Sequence, residues 1–183
     1  MATSKTSSFW LTEVVTLSAT DTLVQGTVDL GAYVDVGDQQ ALAVEQVDMI
    51  IQARDTSTNT YSNSLGGALV GNTSIGMQLT DLNPNTAFVR ADDSSLIASG
   101  VVYFDDTNFI ASIGPDLFPD TFGKLDESRM VVNDNLYLNG VFTTAALAAN
   151  RELIVTCRIK ARIVKLSTKD WMAIAISSVA ADN

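Results

Sequence analysis

Carboxylates are the only abundant side chains in this sequence that could do chemistry, and several come in pairs. Asp92-Asp93, Asp105-Asp106 and the Asp116/Asp120 pair all fall in stretches rich in turn-forming residues. Clustered oxygens of this kind suit calcium, which takes about six to eight oxygen ligands. Two carboxyl groups also suit the acid/base work of glycosidases. Neither chemistry finds its full pattern. No segment has the Asp-x-Asp-x-Asp-Gly spacing of a calcium loop, and no Trp-rich stretch offers a groove for a sugar. The plainer reading is that these acids are solvated turn-formers, because Asp bonds its own backbone and caps turns.

The remaining catalytic vocabulary is thin. The chain has no histidine, which removes the commonest general base, the Ser-His-Asp and Cys-His arrangements and nearly every zinc site. Gly66-Gly67 and Gly71 lack the strand, Gly-x-Gly-x-x-Gly and helix context of a phosphate loop. Cys157 is the only cysteine, so no disulfide forms within one chain, and its place on an apolar strand face marks it as a core residue. The sequence therefore predicts a non-enzymatic protein with no cofactor and no metal.

Charge is more informative. The net charge is −10. Residues 151–183 carry Arg151, Arg158, Lys160, Arg162, Lys165 and Lys169 against Glu152, Asp170 and Asp182, so they sum to 6 − 3 = +3 and the rest to −13. A basic strand face on an acidic body suits nucleic acid, an anionic membrane surface or the acidic side of an identical neighbour. Nucleic-acid binders usually carry a basic domain or arm, so direct nucleic-acid binding is not expected. Cross-strand ion pairing within the fold is the competing use of the same residues.

The elements that would position these groups read as strands. Glu152–Val164 alternates strictly, with Leu153, Val155, Cys157, Ile159, Ala161 and Ile163 on one side and Arg158, Lys160 and Arg162 on the other. A period of two over that length is the mark of a half-buried β-strand. Phe9–Ser18 alternates through Phe9, Leu11, Val15 and Leu17, Val24–Val34 does the same, and a third face runs Ala41, Ala43, Val47, Met49, Ile51, Ala53. Leu69–Leu79 gives a fourth strand. Ala87–Arg90, Val101–Phe104, Met130–Val132 and Leu136–Phe142 are shorter candidates. Asp55–Ser64 reads as a surface loop and Thr143–Asn150 as one helical turn. Trp171–Val179 is ambiguous: Ser167 with Asp170 imitates a helix capping box, yet Met172, Ile174 and Ile176 alternate, and strand is preferred. Asp105–Leu125 has no period but holds Phe109, Phe118 and Phe122, as expected of an ordered excursion packed on the body or on a neighbour.

Only four of the twenty-one acids are Glu, at 13, 45, 127 and 152. A chain so weighted to Asp has many turns and short strands. With 183 residues and 46% hydrophobic residues it can bury a core as one domain. The expectation is an all-β domain, a single jelly-roll β-sandwich of about eight antiparallel strands, with an immunoglobulin-like sandwich behind it. Residues 1–8 are expected as a flexible polar arm and 9–183 as the domain. No apolar run approaches the ~20 residues needed to span a bilayer, and the polar start shows no signal peptide, so synthesis in a cytoplasm is expected.

Two stretches carry a resemblance: Thr27-Val-Asp-Leu-Gly-Ala-Tyr-Val-Asp-Val-Gly-Asp38 and Lys165-Leu-Ser-Thr-Lys-Asp-Trp-Met-Ala-Ile-Ala-Ile176. With length and strand count, the chain resembles the single jelly-roll major capsid proteins of tailless icosahedral viruses of archaea and bacteria. The resemblance implies an upright jelly roll clustered into capsomers that tile a shell, often over an internal membrane. It implies self-assembly, a place in the virion, and a second capsid protein or a membrane as further partners. Met1–Ser8 has only Lys5 where many small capsid proteins carry a long basic arm, which on the same premise implies that another layer stands between shell and genome. Candidate interface residues are Arg158, Lys160, Arg162, Phe118 and Phe122. The alternative is a carbohydrate-binding or attachment sandwich, such as a fibre tip or adhesin, for which a groove with an exposed Trp or Tyr would speak.

Overall fold

The computed structural model describes residues 2–62, 64–85, 87–114, 121–122, 128–143 and 146–180, with side chains described to residue 176 of the last stretch. In chain order the elements are β1 (Thr3–Ser4), β2 (Phe9–Leu17), β3 (Val24–Asp29), β4 (Gln40–Asp55), β5 (Thr60–Ser62), β6 (Leu69–Val70), β7 (Thr73–Thr80), β8 (Leu96–Asp105), β9 (Ile110–Ile113), β10 (Arg129–Val131), β11 (Asn135–Thr143), β12 (Ala146–Leu147), β13 (Arg151–Lys165) and α1 (Thr168–Ala180). Two antiparallel sheets hold nearly all of them. One runs β2–β13–β4–β10, with β1 continuing alongside β13 and β5 alongside β4. The other runs β3–β11–β7–β8–β9. The chain crosses between the two sheets from β2 to β3, β3 to β4, β9 to β10 and β10 to β11, and β13 returns between the early strands β2 and β4. That strand order is the jelly roll, two Greek keys folded face to face.

Alternation explains the core. Val15, Leu17, Leu153, Val155, Cys157 and Ile159 from the first sheet meet Ile75, Leu79, Leu136, Leu138 and Phe142 from the second, all buried. Cys157 sits in the middle of this layer and is fully buried. β13 is paired along both edges, with β4 on one side and β2 on the other, which is why its pattern is the cleanest in the sequence.

The third alternating face holds only in part. Lys160 pairs with Gln46 but Ala161 pairs with Val44, so Glu45 is the extra residue of a β-bulge. The bulge shifts the phase of β4 by one residue. Leu42 and Val44 therefore enter the main core, while Ala41 and Ala43 point to the outer side. There they join Val132, Val164 and Leu166 in a second apolar cluster.

That cluster corrects the strand expected at Trp171–Val179. The segment is the helix α1, and Trp171, Ile174 and Ala175 from it cover Ala41, Ala43 and Val164. Spacing of three and four residues brings those three onto one face. Ser167 caps the helix, its Oγ accepting from Asp170 N at 3.2 Å and its carbonyl from Trp171 N at 2.9 Å. The alternation of Met172 and Ile176 that suggested a strand belongs to the exposed face of the helix.

Smaller departures follow the same logic. Leu69–Leu79 is broken by Gly71, whose φ of 96° only glycine adopts easily, into β6 and β7. Within the helical turn expected at Thr143–Asn150, Thr143 ends β11 and Ala146–Leu147 is the short strand β12, paired with β6. Thr60–Ser62, expected as loop, hairpins back onto β4. Ala87–Arg90 contains no strand. It is fastened to the outer face of the second sheet, where Gln78 Nε2 donates to Val89 O and Val89 N donates to Gln78 Oε1, each at 2.9 Å. Phe88 lies so close over Gly76 that a Cβ there would meet it at 2.5 Å. Residues 2–8, expected as an arm, run beside β13: β1 pairs with it, and Lys5 N donates to Ile163 O at 2.8 Å.

Candidate interaction surface

The outer face of the first sheet carries the basic residues, and the structure splits them into two kinds. Arg162 ion-pairs with Glu45, donating through Nε and approaching with Nη2, and Lys160 Nζ lies 4.0 Å from the same carboxylate. Ser8 Oγ donates to Glu45 Oε2 at 2.8 Å. The bulge is what turns Glu45 toward them, and the carboxylate is almost fully buried. Arg158 instead lies over the indole of Trp10, its guanidinium carbon 4.6 Å from the ring centroid. Trp10 remains exposed, as do Val14 and Ile50 on the same face. Of the five expected interface residues, then, Lys160 and Arg162 are engaged inside the fold and Arg158 faces outward beside an aromatic. Phe122 packs against the main core, its N–H donating to Glu45 O at 2.8 Å. Phe118 lies outside the described residues, as do Asp116 and Asp120.

Asp93 and Asp105 are used as turn-formers, whereas Asp106 bonds across to another loop and Asp92 makes an ion pair. Asp105 Oδ1 accepts from Thr107 N and Asn108 N, and Asn108 Nδ2 donates to its other oxygen, so these bonds hold its carboxyl below the usual range. Asp106 accepts from Gly71 N at 3.0 Å, Asp93 from Ser95 N at 2.8 Å, and Asp92 pairs with Arg90 at the surface. Among the described residues no three His, Cys, Asp or Glu side chains gather as a metal would need.

Sequence reasoning missed the far side of the sandwich. The second sheet extends one strand beyond the first, so β9 overhangs. Ala111 and Ile113 are in register with Phe104 and Val102 and so lie on the face that is core one strand earlier. Nothing in the first sheet reaches Ile113, which is 83% exposed. Phe109, 72% exposed with φ of 55°, stands at the turn before it. Beneath the overhang is a cavity of about 450 Å³ lined by Met49, Ile51, Met77, Phe104, Phe109 and Ala111. The outer face of the same corner is polar, a groove of about 520 Å³ containing Tyr103 with Asn72, Ser74, Asp105, Ser112 and Thr143. Ser74 Oγ and Thr143 Oγ1 share a hydrogen bond of 2.6 Å on its floor. The only sequence signal for this corner was a lack of period combined with aromatics.

No family model matches the sequence, and no curated protein matches it. Solved structures do. VP1 of Trichodysplasia spinulosa-associated polyomavirus in complex with GM1 oligosaccharide aligns over 88% of this chain and 96% of its own, at 7% identity and a TM-score of 0.48. A chain of Desmodium yellow mottle tymovirus aligns over 89% and 93% at 7% identity with a TM-score of 0.27. A chain of Turnip yellow mosaic virus aligns over 90% and 99% at 11% identity, also with 0.27. These are viral capsid proteins with jelly-roll folds. At such scores the strand order of the chain itself is the stronger statement of what it is: a single jelly-roll β-sandwich.

Proposed function

We propose that this chain is a structural virion protein, a self-assembling subunit of an icosahedral shell, and not an enzyme. The observation that carries the reading is a jelly roll whose two lateral sides both leave large apolar side chains bare: Trp10 and Val14 beside β13, Ile113 on β9 and Phe109 in the turn before it. Exposed apolar surface in a folded domain marks a place where something else binds, and two such places on opposite sides suit a subunit with neighbours on each. The resemblance to capsid proteins of tailless archaeal and bacterial viruses gives the setting, with an internal membrane or a second capsid protein as further partners. The test is size-exclusion chromatography with light scattering, followed by negative-stain imaging. Rings or closed particles are expected; a monomer at every concentration and salt tried sinks the reading.

One observation favours a second reading. The polar groove with Tyr103 on the outer face has the composition of a sugar-binding cleft, an aromatic face among hydroxyl, amide and carboxylate groups. A strict monomer that binds a glycan on an array, and loses binding in Tyr103→Ala, would make the attachment module the better description.

A further inference from the structure

The two bare sides differ in charge as well as position. At one lateral side of the sandwich β2 lies against β3; at the other β9 projects past the sheet beneath it. The β9 side is acidic: residues 105–113 hold Asp105 and Asp106 and no cation, a sum of −2. The outer face beside β2 holds Arg158, Lys160 and Arg162 against Glu45 and Asp48, a sum of 3 − 2 = +1, with the Arg158 guanidinium laid on exposed Trp10, while Glu13 of β2 is turned to the inner side against Gly26 of β3. Among the described residues β9 is also a free edge. All its residues are exposed, it contains neither Pro nor a charged residue, and no described strand lies beside one row of its backbone groups. Edge strands left in this state pair with another chain.

We propose that the β9 edge of one copy, with Phe109, Ile110 and Ile113, seats on the Trp10, Val14 and Arg158 surface of the next. This rests on the shell reading and names the contact it would use. The contact is heterologous, since the two surfaces are different and lie on opposite sides of the same subunit. Repetition of such a contact makes a closed ring when the rotation closes, which is the geometry of a capsomer. Charge selects this pairing over the symmetric one, because two β9 edges brought together would set Asp105 and Asp106 of one copy near those of the other. The apolar side chains supply the affinity and the opposite charges its register.

The test uses the whole chain and three variants, each substituted at an exposed side chain. Ile113→Asp spoils the β9 side, Arg158→Glu spoils the β2 side, and Val36→Asp, at an exposed apolar residue in the turn before β4, is the control. Circular dichroism and melting of all three should match the wild type. In sedimentation velocity, Ile113→Asp should self-associate about a hundredfold more weakly or worse, because a buried aliphatic side chain contributes roughly one to two powers of ten in affinity. Arg158→Glu should be a monomer at the concentrations where the wild type associates, and Val36→Asp should leave association unchanged. An equimolar mixture of Ile113→Asp and Arg158→Glu should form a one-to-one dimer and nothing larger, since each retains the surface the other lacks. Arg158→Glu dimerising alone would show edge-to-edge β9 pairing and overturn the proposal. Assembly by Ile113→Asp equal to wild type, or equal loss in Val36→Asp, would overturn it and leave the shell reading standing. A wild type that never assembles would overturn both.

Discussion

Glu45 in β4 and Asp81 just past the end of β7 are both buried acids, each beside an arginine, and the structure treats them differently. Glu45 has donors on both oxygens: Arg162 on Oε1, Ser8 on Oε2, with Lys160 behind. Asp81 has Arg129 3.6 Å from Oδ2 and no partner at Oδ1, and Arg129 Nε is itself without one. Burial pushes the Asp81 carboxyl up to about 6, against the opposing pull of Arg129 and with a further push from Asp93. A β-bulge aims the first acid into a cluster of donors. The second sits at the end of β7, where Arg129 also spends a guanidinium nitrogen on Ser94 O. Depth alone does not set what a buried carboxylate costs; the number of donors facing it does.

The most damaging way to extend this series is a buried acid with no donor provided. Cys157→Asp would place a carboxylate in the fully buried layer between the sheets, directly across from Glu13 on β2. An uncompensated buried charge costs several kcal/mol or more, comparable to the roughly 5–15 kcal/mol that holds a domain together. The variant is expected to lack a cooperative melt. The wild-type thiol should accordingly resist thiol reagents until the protein is denatured, and rapid labelling of the native state would move Cys157 out of the core.

Next in size is loss of the donor at Glu45. Arg162→Ala leaves the carboxylate with Ser8 and the distant Lys160, and breaking a buried pair costs about 3–5 kcal/mol. Since Arg162 retains some exposure, the low end applies, and a chain of this size should melt roughly 6–12 °C lower. Adding Glu45→Gln should restore much of that, because no unpaired charge then remains. If the single variant melts like wild type, the cluster is a surface pair and the comparison with Asp81 fails. The same reasoning warns against reversing Arg158, Lys160 and Arg162 together as an assembly test: the triple change would gather carboxylates around Glu45 and disturb the fold first.

Much of this architecture was legible because strand pairing on both edges enforces a period of two, as in β13. A single extra residue was enough to mislead. Glu45 in the middle of β4 looked like a polar intrusion in one continuous face, when it was the bulge that ends one face and begins another. The helix α1 was illegible for a related reason. Two of its apolar partners, Ala41 and Ala43, are brought to the outer side beside Val164 only by that phase shift, so nothing nearby in the sequence announced a surface needing cover. The basic residues were legible as a strand face but not as a cluster, because Glu45 is far away in sequence. The β9 overhang depends on one sheet being wider than the other, a relation that no local pattern encodes.

The smallest effect, and the sharpest test of the comparison, is in pH. The Asp81 carboxyl is raised in the folded state to about 6 from an ordinary value near 3.8. Between those values the folded protein binds more protons here than the unfolded chain, so stability falls as pH rises through the window. Below about pH 4 the penalty is absent, and above about pH 6 it is complete, amounting to roughly 3 kcal/mol for a shift of this size. Exposed acids with lowered values, such as Asp55 and Asp105, push the other way, gaining stability as pH rises. Total stability therefore does not isolate the effect, but a difference does. Asp81→Asn removes this titration while keeping the shape, so the gap in unfolding free energy between variant and wild type should move in favour of the variant by up to about 3 kcal/mol from pH 4 to pH 7. Urea melts at several pH values measure it. A gap constant across that range would mean that water or Arg129 already satisfies Asp81 as fully as the bulge satisfies Glu45.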